Sequence, residues 1–152
     1  MIERDYLMRL FQQLANVLAR IMRAREQEKY DDAQDAIDEA YGELFGLNET
    51  LVGVMSAESL AQLLGDGEKT KALARLLKEE GELCELQDDP TQAALKYKKS
   101  LELYLEAGSA QTKIDLEYES MIKPLLDKID FEQLPKKYHA ILKKMRTAST
   151  SA

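Results

Sequence analysis

At 152 residues, with 45% hydrophobic and 32% charged side chains and only three prolines, the chain suits one domain. A domain of that length buries roughly 70% of the surface its unfolded chain exposes, so it needs no staple. No run of 18 apolar residues occurs, which argues against a membrane span. The net charge is −7 and uneven: from Pro135 onward there are five Lys or Arg and no acid, leaving −12 on the first 134 residues, which disfavours nonspecific nucleic-acid binding by the main body.

In chain order, Leu7, Leu10, Phe11, Leu14, Val17, Leu18, Ile21 and Met22 give a first helix over about 3–28 a broad apolar stripe, wide enough for more than one neighbour. Its subset Leu7, Leu10, Leu14, Val17, Ile21 and Ala24 follows a heptad. That pattern suits core packing, or a homodimer through helix 1. A second helix starts at Lys29 to Asp32, carries Ala33, Ala36, Ile37, Ala40, Tyr41, Leu44 and Phe45 on one face, and ends at Gly46. Between Leu47 and Lys71 the caps Asn48 and Ser56 and the break at Gly65-Asp66-Gly67 predict two short helices.

The stretch from Ala72 to Gly108 reads as a helical hairpin. Leu73, Leu76, Leu77, Leu83 and Cys84 recur at three- and four-residue steps, with Gly81 where a neighbouring backbone would come close. Ala94, Leu95, Leu101, Tyr104 and Leu105 repeat the pattern in the second arm, and Asp89 and Pro90 are suited to the N-cap and first helical position. Beyond it, a helix from about Ala110 carries Ile114, Tyr118, Met121, Ile122, Leu125 and Ile129, with Pro124 expected to kink or restart it near Ser120 to Lys123. Asp130 is placed to cap a brief turn. A last basic helix opens at Pro135, and 147–152 form a tail expected to lack order, outside a single helical domain of 1–146.

The central hairpin resembles one tetratricopeptide repeat, because Gly81, Ala93, Tyr97 and Ser100 stand at that family's spacing of small, small, aromatic and small residues; Cys84 and Leu105 depart from it. Ala33, Ile37 and Ala40 repeat the second-arm spacing 60 residues earlier, against roughly 34 in a tandem array, so something is inserted between two related hairpins. The opening IERDYLMRLFQQLANVLARI and AESLAQLLG are similar to an uncharacterised family of small bacterial proteins with tetratricopeptide-like folds. The resemblance implies an all-α fold: antiparallel helical hairpins in a right-handed array of about seven helices. It also implies a protein or peptide partner on a concave surface at Arg75, Lys78, Glu82 and Glu85. Some family members clamp a peptide carboxylate there, but Glu82 stands where the Asn would be. A solvated mixed-charge face is the plain alternative.

Enzyme-like patterns are sparse, and the expected chain is not an enzyme and uses no metal or cofactor. Asp31, Asp32 and Asp35 have the form of a Mg²⁺-binding motif, the alternative being a metal-dependent enzyme or small-molecule binder; acids in a first helical turn are equally explained by the macrodipole. The single His139 excludes sites needing two histidines and is expected to be exposed, and the single Cys84 reads as a buried core thiol. Leu134, Tyr138, Ile141, Leu142 and Met145, flanked by lysines, suit docking of the last helix on its own domain, or on an acidic partner or membrane surface. Charges in Met1 to Asp5 stand where a secretory leader needs its apolar core, so the expected location is the cytoplasm.

Overall fold

In the computed structural model, residues 2–109 and 116–150 are described, the side chains of 2, 3, 109, 116, 117 and 146–150 excepted. The described residues form eight α-helices and no strand: α1 (Ile2–Glu26), α2 (Tyr30–Phe45), α3 (Glu49–Val54), α4 (Ala57–Leu64), α5 (Gly67–Leu86), α6 (Pro90–Ser109), α7 (Leu116–Leu126) and α8 (Lys136–Thr150). A single 3₁₀ turn, Phe131–Gln133, precedes α8. The fold is all-α, as the periodicity predicts.

The boundaries follow local chemistry. Asn48, Ser56 and Asp66 each accept a backbone N–H three residues on, at 2.8, 3.1 and 2.9 Å, and so cap α3, α4 and α5. Asp89 caps α6 through the Gln92 N–H at 3.2 Å, with Pro90 in the first helical position. Gly46 closes α2 at φ 66°, a left-handed conformation that costs glycine little.

The α1–α2 and α5–α6 hairpins turn identically, 60 residues apart. Glu28 and Asp88 both sit at φ 57°. Lys29 N–H donates to the Ala24 carbonyl at 2.8 Å, and Asp89 N–H to the Cys84 carbonyl at 2.9 Å. The α5–α6 hairpin lies at the centre, with α5 packed on both α1 and α2 and α6 on α4, α7 and α8. One core runs from Leu10 to Met145. The inserted α3 is tied to it by Lys99, whose ammonium donates to the Val52, Gly53 and Met55 carbonyls at 2.9, 2.9 and 2.8 Å. A cation thereby meets the negative end of a helix, and burial lowers the lysine pKa.

Several expectations need correction. Ala94 and Leu95 face solvent, Leu95 being 55% exposed, and the second arm buries Ala93, Tyr97, Ser100, Leu101, Tyr104 and Leu105 instead. What comes close to Gly81 is no backbone but the Tyr97 ring: a Cβ added there would lie 2.7 Å from Cε1. α7 does not restart at Pro124 but runs on through it to Leu126, although the proline cannot donate to the Ser120 carbonyl. The predicted start of that helix at 110–115, with Ile114, lies outside the described residues. α8 continues to Thr150, past the Arg146 at which the sequence reading ends the domain. Of the α1 heptad, Leu10, Leu14, Ile21 and Ala24 are buried within the chain and Leu7 and Val17 half-buried, as core packing requires.

Candidate functional site

α5 carries consecutive acids, Glu79 and Glu80, into the core beside Gly81. Glu80 is fully buried yet satisfied: Tyr41 Oη donates to Oε1 at 2.7 Å, Gln34 Nε2 to Oε2 at 2.8 Å, and Lys96 Nζ lies 3.1 Å from Oε1. The tyrosine pKa is raised by its burial and then by this carboxylate. Such a fully bonded buried charge defines one arrangement of α2, α5 and α6 around it. Glu79 lies one step toward the surface, 3.0 Å from Arg25 and 3.7 Å from Arg75. Burial, then the Glu82 carboxylate, raises its pKa.

Outward from Glu79, the end of α1, the α5 face, α6 and the end of α7 enclose an open cleft of about 480 Å³. Three of the four residues placed on a concave surface by the sequence line it: Lys78, Glu82 and Glu85. The fourth does not. Arg75 lines a neighbouring groove of about 270 Å³ with Phe11, Tyr104 and Met121, and Glu79 pairs with both it and Arg25 of the cleft. Distant segments complete the cleft: Arg25 from α1, Tyr97 from α6, and Lys128 just beyond α7. Arg25 bonds Glu82 at 2.9 Å, Lys128 meets Glu85 at 3.2 Å, and Lys78 stands 3.9 Å from Glu82. Leu86, 45% exposed, forms an apolar rim.

Tyr97 forms the cleft's inner wall. The residue is 2% exposed, its hydroxyl is buried without a hydrogen-bond partner, and Lys128 Nζ lies 5.8 Å from its ring centroid. Burial and the nearby Glu85 carboxylate raise its pKa, so the group is a neutral donor throughout the physiological range. The alternating charges around it suit a partner with polar groups of both signs.

The remaining candidates are placed elsewhere. Asp31, Asp32 and Asp35 are exposed in the first turns of α2, and among the described residues no three potential ligands are grouped to hold a metal ion. Cys84 is half-buried rather than fully buried, with its pKa raised by that burial, which opposes thiolate formation. His139 is half-buried rather than exposed, its ring centroid 4.2 Å from that of Phe131. α8 docks on its own domain: Leu134, Tyr138, Leu142 and Met145 are buried, Tyr138 Oη donates to Glu106 at 3.0 Å, and Lys137 bridges Glu58 and Glu106. No described helix is long and apolar enough to cross a membrane.

Compared with known protein families, curated proteins and solved structures, the chain matches none.

Proposed function

We infer that the chain is a non-catalytic, tetratricopeptide-like interaction protein of the cytoplasm that presents the Tyr97 cleft to a peptide segment of a partner protein. The observation that carries this reading is the convergence of Lys78, Glu82 and Glu85 with Arg25 and Lys128 around one exposed leucine and the buried Tyr97. Affinity would come from apolar contact at Leu86, 45% exposed. Selectivity would come from the charge pattern, since a partner of the wrong sign must break existing ion pairs without replacing them.

Charge reversal at Lys78 and Lys128 leaves the core untouched, so a folded variant with Lys78→Glu and Lys128→Glu should lose the proteins recovered with the unaltered chain from lysate of the source cells. An unchanged set of recovered proteins would sink the cleft reading.

A further inference from the structure

On the side of α6 away from Tyr97, α3 and α6 enclose a second hollow, of about 320 Å³. Leu95 and Lys99, which line it, stand about 160° round the helix from Tyr97 at 3.6 residues per turn. Its floor belongs to the core, since Leu77 and Val52 are both fully buried, and Leu95, 55% exposed, makes an apolar wall.

The charges around this hollow differ in what they already hold. Lys99 spends its ammonium on the three α3 carbonyls. Lys96 meets Glu80 at 3.1 Å and keeps further hydrogens to donate. Lys98 and Glu102 are half-buried, and neither has an ion-pair partner among the described residues. Lysine four residues before glutamate is the weaker order for a direct pair on a helix, and here the two stay apart. Burial, its largest influence, raises the Glu102 pKa, while Lys98 and Lys99 lower it. An ammonium and a carboxylate, each partly stripped of water, thus line one hollow with an apolar floor.

We propose that this hollow binds a free amino acid with a leucine-sized aliphatic side chain. Glu102 accepts from the ligand's ammonium, Lys98 donates to its carboxylate with Lys96 beside it, and the side chain lies against Leu95. About 6 Å of helix rise separates positions 98 and 102, a span that an α-ammonium and its adjacent carboxylate bridge with one hydrogen bond at each end. A simple anion would suit the lysines but oppose Glu102, and a simple cation would do the reverse. A peptide terminus carries only one of the two charges, so the pair selects a molecule that carries both. The volume falls at the small end of the roughly 300–1,000 Å³ of ligand sites, as a single amino acid requires. This site does not rest on the Tyr97 cleft or on its partner.

Calorimetric titration of the full chain with leucine should show one site. Isocaproate, which is leucine without its ammonium, and isoamylamine, which is leucine without its carboxylate, should each bind at least about tenfold more weakly. Lys98→Met and Glu102→Gln leave the core untouched, and each should weaken leucine at least about tenfold while circular dichroism keeps its helical signal. Lys78→Glu with Lys128→Glu should leave leucine binding unchanged. No binding of leucine up to about 10 mM overturns the proposal. So does equal binding of either analogue, or leucine binding that survives both Lys98→Met and Glu102→Gln. Loss of leucine in the Lys78→Glu and Lys128→Glu chain would place it in the Tyr97 cleft and overturn the assignment too.

Discussion

The α1–α2 and α5–α6 hairpins share one backbone turn and fill the space below it in different ways. In the first, Ile21 and Ile37 occupy the central positions, both fully buried. In the second the same positions hold Gly81 and Tyr97, with the tyrosine ring lying where a glycine Cβ would be. The outer positions diverge as well. Arg20 makes an exposed pair with Glu39, while its counterpart 60 residues on, Glu80, is fully buried under three polar partners. Every buried polar or charged residue among those described, Thr70, Glu79, Glu80 and Ser100, belongs to the second hairpin. One backbone solution thus serves as an apolar brace in the first case. In the second it carries polar groups inward and buries the Tyr97 hydroxyl near the Glu85 carboxylate.

Alkali should separate the two halves most strongly. Tyr41 stands in the first hairpin, whereas Tyr97, Tyr104, Tyr118 and Tyr138 lie in α6 to α8, all with pKa raised above 10 by burial first, Tyr104 to about 12. A tyrosine raised in the folded state keeps its proton while the unfolded chain loses its own. Its stabilising contribution is therefore complete below pH 10 and lost as pH rises toward the folded value. Thermal melts from about pH 8 to about pH 12 should show a steep fall above about pH 10. Phenylalanine at Tyr104 and Tyr138 should flatten that fall more than phenylalanine at Tyr41. Equal slopes would show that the buried tyrosines do not set it.

Next in size is Glu80→Ala, which strands Lys96 and removes the acceptor of Tyr41 and Gln34; chemical denaturation should register a loss of about 3 kcal/mol. Lys99→Met takes the donor from three carbonyls at the end of α3 and should cost about 1.5 kcal/mol, with faster amide exchange concentrated in α3. Smallest is Arg20→Ala, the equivalent of Glu80 in the first hairpin. Its partner is exposed, and the loss should stay under about 0.5 kcal/mol. If Arg20→Ala cost as much as Glu80→Ala, the contrast between brace and polar centre would disappear.

Periodicity made the helices legible, and caps such as Asn48, Ser56 and Asp89 marked their starts because capping is a matter of three adjacent residues. The face of α6 was harder. Ala94 and Leu95 continue an apolar run by composition, but the face that packs is the one 100° away through Ala93 and Tyr97. Glu80 carries a signal in the sequence: it falls on the stripe of Leu73, Leu76, Leu77 and Leu83, where a charge must be paired if it is buried. A third of the cleft's lining is legible through Lys78, Glu82 and Glu85. Arg25 meets Glu79 and Glu82 across 54 and 57 residues of sequence, a distance over which no local pattern reports.

The claim that two hairpins solve one packing problem with different residues rests on the exchange at positions 21 and 37 against 81 and 97. A double-mutant cycle of Gly81→Ala and Tyr97→Ile, read by urea denaturation, tests it directly. Gly81→Ala alone should cost about 2–3 kcal/mol through the clash with the ring, and Tyr97→Ile alone about 3 kcal/mol through the space it leaves. The double variant should recover at least about 1 kcal/mol of the summed loss, because each change makes room for the other. Strict additivity would contradict it, since Gly81 and Tyr97 would then not be sharing one space.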